Sequence, residues 1–261
     1  MNNILLYLIV LIATVLIGYH FRSLTISGSV AAIFVGGSVG LGLGWNGLIV
    51  MGAFFLTSSV WSKFKREIKK RVEQKHTKGS RRDWQQVFAN GGLAAVFCIL
   101  YYFFDEQIWL LGFSIALASA NSDTWASEIG TLSKRPPVFI GTFKRVDKGT
   151  SGAVSLLGTM AALSGAFLIA ITSTLLFSLT ESEFLLIFLF GFLGNIIDTI
   201  IGAFYQVAYN CSVCGAETEQ KSHCNQPCQQ IRGFSFMDND LVNFLSGFLA
   251  TIVALILYHF L

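Results

Sequence analysis

Eight apolar runs follow one another along this chain, at roughly residues 4–21, 27–43, 46–61, 88–104, 107–122, 152–179, 183–208 and 240–260. A membrane-spanning helix needs about 20 mainly apolar residues, so the expected architecture is all-α, a polytopic integral-membrane domain of about eight transmembrane helices filling 1–261. Charged residues make up only 13% of the chain, against about 25% in soluble domains. The first run has no basic residue before it and no small-residue cleavage site, so it is expected to stay as a helix rather than be removed as a signal peptide.

Orientation follows from the eighteen Lys and Arg residues, because short cytoplasmic loops are enriched in them. Arg22 follows the first run. Lys63, Lys65, Arg66, Lys69, Lys70, Arg71, Lys75, Lys78, Arg81 and Arg82 follow the third, within a basic loop at 62–87. Lys134, Arg135, Lys144, Arg145 and Lys148 follow the fifth, and Lys221 and Arg232 the seventh. All eighteen fall on one side, whereas Asp105, Glu106, Glu181 and Glu183 fall on the other. This predicts both termini outside and the motif-bearing loops on the cytoplasmic face of a plasma membrane. The basic loop reads as a topology anchor resting on anionic headgroups, with steering of an anionic substrate as the alternative. Basic residues tied to membrane loops, with no recognition motif, argue against a nucleic-acid partner. His20, His76 and His259 read as interfacial or surface residues, and Trp45, Trp61 and Trp109 as interface anchors.

Against this apolar background, four polar segments need explaining. In "RRDWQQVFANGG" (81–92), Gln86 and Asn90 share a helix face before a glycine pair. In "ASANSDTWASEIGTL" (118–132), Asn121, Ser122, Asp123 and Glu128 stand where a span should end, although an Asp at a helix centre costs roughly 2.5–3.5 kcal/mol. On a continuous helix Asn121, Thr124, Trp125 and Glu128 form one stripe and Asp123 points away from it. Either the helix breaks near Asp123, or polar groups face protein and cavity on both sides. A metal or phosphate role for Asp123 and Glu128 competes here with capping. In "GTFKRVDKGTSGAVS" (141–155), Lys144, Arg145 and Lys148 precede Gly149 and Thr150 at a helix start, a candidate anion site without Walker A order. The fourth is split. Gly191, Asn195, Asp198 and Gly202 keep helical spacing inside the seventh run, and Asp238, Asn239, Asp240 and Asn243 open the eighth. An intramembrane carboxylate such as Asp198 is functional by default, whereas Asp238 and Asp240 are equally readable as N-terminal caps.

A separate signal lies in the 209–232 loop, where Cys211, Cys214, His223, Cys224 and Cys228 cluster on the expected reducing side. That favours zinc over disulfides, in a structural role, although five potential ligands compete for four positions.

Together "RRDWQQVFANGG", "NSDTWASEIG", "FKRVDKGTSGAVS", "GNIIDTIIGA", the Cys/His cluster and "MDNDLVNFLSG" resemble, in that order, the transmembrane protein 19 family of integral-membrane proteins. That family includes the plant phytyl-phosphate kinase and is distantly similar to phytol and dolichol kinases and to phosphatidate cytidylyltransferases. The resemblance implies phosphoryl transfer from CTP or another nucleoside triphosphate to a prenyl monophosphate held in the bilayer. By the same resemblance Asp123 and Glu128 would hold Mg²⁺, and Lys144, Arg145 and Lys148 would grip phosphates. Asp198, Asp238 and Asp240 would complete a metal–nucleotide pocket, with Asn90, Asn121, Ser122, Gly149, Thr150, Asn195, Asn239 and Asn243 as further contacts. Rival readings are a lipid cytidylyltransferase using the same pocket, a transporter with Asp198 on its path, and a zinc-clamped scaffold. A homo-oligomer is left open.

Overall fold

The computed structural model describes residues 2–73 and 77–260, so Lys75 and His76 lie outside the described residues. Among the described residues eight helices carry the fold: α1 (Asn2–His20), α2 (Ile26–Lys63), α3 (Arg66–Glu73), α4 (Trp84–Phe104), α5 (Gln107–Gly130), α6 (Leu156–Phe177), α7 (Glu181–Phe204) and α8 (Asn239–Tyr258). Five of them, α2, α4, α6, α7 and α8, are long and apolar enough to cross a membrane by length and composition, and Leu5–His20 is a shorter apolar helix. Large apolar side chains such as Leu5, Phe34, Phe103 and Leu175 face outward, as lipid contact requires.

The second and third apolar runs form one element, α2, which doubles back on itself. A straight helix of 38 residues would be about 57 Å long and would hold positions 39 and 47 about 12 Å apart. Instead, a Cβ at Gly47 would lie 2.9 Å from Val39 Cγ1. Both ends of α2 also meet Arg82, whose carbonyl accepts from Thr25 N (3.0 Å) and whose guanidinium donates to Ser59 Oγ (3.0 Å). The reversal occurs at Gly44, with φ 58° and ψ −142°, a backbone conformation that residues with a Cβ rarely adopt. Two antiparallel limbs result.

At the centre of the bundle stands α5, buried without interruption from Leu110 to Ser119 and touching α2, α4, α6, α7 and α8. It is apolar on all sides there because helices surround it. Small residues allow the close approaches: Gly191 and Gly194 of α7 lie against Ala118 and Ser119, and Gly165 of α6 lies against the Asn121 carbonyl.

The starts of α2, α4, α6 and α8 gather at one end of the bundle, with the ends of α5 and α7. Each start is fixed by an N-cap whose side chain accepts a backbone N–H: Thr25 from Gly28, Asp83 from Gln86, Ser155 from Gly158 and Asp238 from Leu241. The same end carries the small antiparallel ladders. β1 (Val138–Phe139) pairs with β2 (Ala153–Val154), and β3 (Ala208–Asn210) lies between β4 (Glu217–Thr218) and β7 (Gln229–Arg232). β5 (Ser222–His223) pairs with β6 (Gln226–Pro227).

Candidate functional site

Between these helix ends lies a polar cavity of about 280 Å³, to which all four polar segments contribute. Its wall includes Gln86 and Asn90 of α4, Asp123, Ser127 and Glu128 of α5, Lys148 to Ser151 of the following loop, Asn195, Asp198 and Thr199 of α7, and Asn239 and Asn243 of α8. The first turns of α4, α6 and α8 border it, so the positive ends of three helices meet in one place, a favourable setting for an anion.

The question raised by Asp123 has a geometric answer: α5 is unbroken to Gly130 and is polar on two faces. One face meets the second limb of α2, where Ser58 Oγ donates to Asn121 Oδ1 (3.3 Å), Trp125 Nε1 to Thr57 Oγ1 (3.3 Å) and Ser62 Oγ to Glu128 Oε1 (2.7 Å). The other face meets α7, where Asn195 Nδ2 donates to Asp123 Oδ1 (3.1 Å). Asp198, one turn further along α7, is within hydrogen-bonding reach of Asp123. It accepts from Ser246 Oγ (3.2 Å) and, with the Asn243 amide turned to satisfy both its neighbours, from Asn243 (3.0 Å). Two carboxylates thus face one cavity, surrounded by amide and hydroxyl groups.

The loop bearing Lys148, Gly149 and Thr150 is pressed against the end of α7. Gly152 has φ +81°, and a side chain there would collide with the Ala203 backbone. Arg232 locks the arrangement, donating to the carbonyls of Ala203 (3.0 Å) and Ser151 (3.4 Å) and to Glu217 Oε1 (2.8 Å). Glu219 accepts from Gln206 Nε2 (2.8 Å) and Ser151 Oγ (3.2 Å).

Of the residues singled out from the sequence, Asn90, Asp123, Glu128, Lys148, Gly149, Thr150, Asn195, Asp198, Asn239 and Asn243 line this cavity. Others do not. Asn121 and Ser122 are fully buried between helices, donating to the Gly165 carbonyl (2.8 Å) and the Ala162 carbonyl (3.0 Å). They join α5 to α6 and cannot reach a nucleotide. Lys144 and Arg145 are exposed in the turn between β1 and β2, where the Lys144 carbonyl accepts from Phe139 N, and neither lines the cavity. Asp238 and Asp240 line a neighbouring cavity of about 260 Å³ rather than the one containing Asp123 and Asp198. There Asp238 caps α8, and Asp240 is engaged by Lys78, which also pairs with Asp83 at 2.9 Å. Burial works against the charge on Lys78, but its bonds to Asp240 and Asp83 outweigh that and hold its pKa above the ordinary lysine value. Glu128 borders both cavities and is already neutralised by Lys69 at 2.6 Å, whereas Asp123 and Asp198 have no such cation among the described residues and are the carboxylates that could hold a metal ion.

Lys69, Arg82, Thr199, Gln206 and Glu219 also line these cavities, and no motif in the sequence singles them out. Lys69 (3% exposed) and Arg82 are hidden within the basic run, in which one cation looks like another. Thr199 follows Asp198 directly and was legible as its neighbour.

Residues 9–251 match the family described as integral membrane protein DUF92. The chain belongs to this family. Among similar proteins is Protein PGR of Arabidopsis thaliana, 32% identical over 92% of each chain. An uncharacterized membrane protein of Methanocaldococcus jannaschii is 36% identical over 62% of this chain and 66% of its own length. Protein VTE6, chloroplastic, of Arabidopsis thaliana is 28% identical over 91% of this chain and 66% of that protein. No solved structure matches.

In this DUF92 chain the Cys/His loop is fastened to the rim of the cavity through Glu217, Glu219 and Arg232. Cys211, Cys214, His223 and Cys224 converge, with one ligand atom of each lying within 4.8 Å of the others, and Cys228, whose thiol neighbours Cys211, does not come within that distance of all four. The backbone amide of Cys214, a hydrogen bond from the His223 side chain and the amide of Val213 push the Cys211 thiol down to about 6.

Proposed function

We propose that this protein is a lipid-phosphate kinase that transfers the γ-phosphoryl group of CTP or another nucleoside triphosphate to a prenyl monophosphate, giving the diphosphate. One observation carries the reading. The polar cavity shares Arg82, Gln86 and Asn90 with an apolar cleft of about 220 Å³ between α1, α2 and α4. Val10, Leu11, Val15, Val35, Met51 and Phe55 line that cleft. An isoprenoid tail fits the apolar side and its phosphate the polar side, with Arg82 at the junction. The resemblance to a family containing a phytyl-phosphate kinase supports the same substrate class.

The chemistry asks little of the protein beyond position and charge. A phosphate monoester loses its second proton near pH 6, so the acceptor oxygen is already anionic and needs no general base. That oxygen attacks the γ-phosphorus, the bond from the γ-phosphorus to the β-bridging oxygen breaks, and the nucleoside diphosphate leaves with the electron pair. Lys148, the loop amides around Gly149 and Thr150, and the start of α6 would hold the donor phosphates, while Arg82 would hold the acceptor. Asp123 and Asp198, with Asn195 and Thr199 beside them, form the all-oxygen donor set that suits Mg²⁺. Such an ion, when bound, neutralises charge on the transferring phosphate. We assign the cavity to the cytoplasmic face of the plasma membrane, where nucleotide is available.

Detergent-solubilised protein supplied with Mg²⁺, CTP and phytyl or geranylgeranyl phosphate is expected to yield CDP and the prenyl diphosphate. Asp123→Asn and Asp198→Asn should each lower the rate by about 10²-fold or more, the scale of losing one charge-stabilising group. Full activity in Asp123→Asn would overturn the site. Release of pyrophosphate with a CDP-lipid would establish cytidylyl transfer instead.

A further inference from the structure

The 209–232 loop buries few side chains of its own, chiefly Tyr209, Cys211 and Thr218. Its strands are two to four residues long, and Cys214, Cys224, Val213 and Ile231 are exposed. Segments of this size usually need a covalent or metal staple. Two turns bring its donors together. In the first, between β3 and β4, Cys211 N donates to the Ala216 carbonyl (3.0 Å) and Gly215 N to the Cys211 carbonyl (2.8 Å). This closes a Cys-x-x-Cys-Gly knuckle with both thiols on its inner side. In the second, β5 and β6 are joined by Cys224 and Asn225, with φ 52° and 58°. Two successive left-handed residues mark a tight hairpin turn of the I′ kind, which returns His223 and Cys224 towards the knuckle.

His223 Nδ1 lies 3.5 Å from Cys214 Sγ and 3.3 Å from Cys224 Sγ. Bonds of about 2.3 Å to sulfur and 2.0 Å to nitrogen place tetrahedral ligands roughly 3.5–3.8 Å apart, so the two sulfur–nitrogen contacts are near the spacing of a filled site and every other pair lies within 4.8 Å. All the cysteines are free thiols.

We propose that Cys211, Cys214, Cys224 and His223 Nδ1 form a tetrahedral Zn²⁺ site that holds this loop on the rim of the polar cavity. Three thiolates and one neutral imidazole are soft-to-borderline donors that favour zinc over Mg²⁺ or Ca²⁺, and four protein ligands leave no open position for catalysis. Bound as thiolates, the three cysteines and the neutral imidazole leave a net charge of −1 on the filled site. The structural consequence passes through β4: with the knuckle closed, Glu217 holds Arg232 and Glu219 holds Gln206 and Ser151, and these contacts set the loop that carries Lys148. This site stands independently of the kinase reading, since its metal is distinct from any ion between Asp123 and Asp198.

The full chain, purified without chelator and with Zn²⁺ in the medium, is expected to contain one zinc ion per chain by elemental analysis. The Co²⁺-exchanged protein should show the intense visible bands of a tetrahedral thiolate site. Cys211→Ser and Cys214→Ser should lose the metal and Cys228→Ser should keep it. Because the ligand variants are open to misfolding, alkylation of the native wild-type protein gives a second reading: Cys228 should react while Cys211, Cys214 and Cys224 stay protected until zinc is chelated. Zinc below about half an equivalent, a disulfide among these cysteines, equal protection of Cys228, or loss of zinc in Cys228→Ser would each overturn the assignment.

Discussion

Asn121 and Asp123, two positions apart on α5, are equally anomalous in an apolar run and serve opposite purposes. Asn121 is fully buried, with its nitrogen on the Gly165 carbonyl and its oxygen on Ser58 Oγ, so its polarity is consumed in joining three helices. Asp123 faces the cavity with Asn195 and Asp198 beside it. The two should therefore separate stability from activity. Asn121→Ala leaves the Gly165 carbonyl without that partner and should cost about 1 kcal/mol, within the range for hydrogen bonds between membrane helices. For a chain of this size the loss corresponds to a melting temperature about 2–4 °C lower in detergent, with phosphoryl transfer retained at temperatures where the variant is folded. Asp123→Asn should show the reverse pattern. Loss of activity in Asn121→Ala without a shift in melting temperature would place Asn121 in the chemistry after all.

Among the elements, the loop from Lys148 to Gly152 is the most tightly determined by its surroundings. Gly152 combines a φ of +81° with contact against the Ala203 backbone, so a methyl group there meets both backbone strain of about 1–3 kcal/mol and a steric collision. Gly152→Ala should push the loop off α7, carry Lys148 away from Asp198, and raise the KM for nucleotide by about tenfold or more, equivalent to about 1.4 kcal/mol of lost binding. An unchanged KM would detach Lys148 from nucleotide binding. The elements were largely readable in advance, because apolar runs and their interruptions are one-dimensional signals. The break between runs two and three falls at Gly44, and Asp198 stood out as a carboxylate inside a span. Direction around a helix was harder to read. Asn121 and Ser122 carry the same anomaly as Asp123, and only the positions of α6 and α7 decide which of them meets a cavity. Cations were harder still. A tally of positive charge orients the chain, yet it cannot show that Lys69 folds back onto Glu128 while Lys144 and Arg145 remain in solvent.

Across the bundle, the division between polar and apolar space is what the proposed lipid-phosphate substrate would have to match. α5 is enclosed by its neighbours, whereas α1 packs chiefly on α2 at the edge of the bundle. The apolar cleft lies in that peripheral part and joins the polar cavity at Arg82, Gln86 and Asn90. Gly52 tests whether this continuity carries a lipid tail. It lines the cleft, and a Cβ there would meet nothing within 4 Å, so a larger side chain has open space to enter without disturbing the helices. Gly52→Phe should occupy the volume otherwise taken by part of an isoprenoid chain. Displacing about three methylenes at about 0.8 kcal/mol each removes some 2.4 kcal/mol of binding, a rise of roughly 50-fold in KM for geranylgeranyl or phytyl phosphate. A five-carbon prenyl phosphate, with a quarter of the tail to place in the cleft, should keep its KM, and kcat should hold for both substrates. An equal rise in KM for the short and long substrates would mean that the tail lies elsewhere, and an unchanged KM for both would mean that the cleft does not receive lipid.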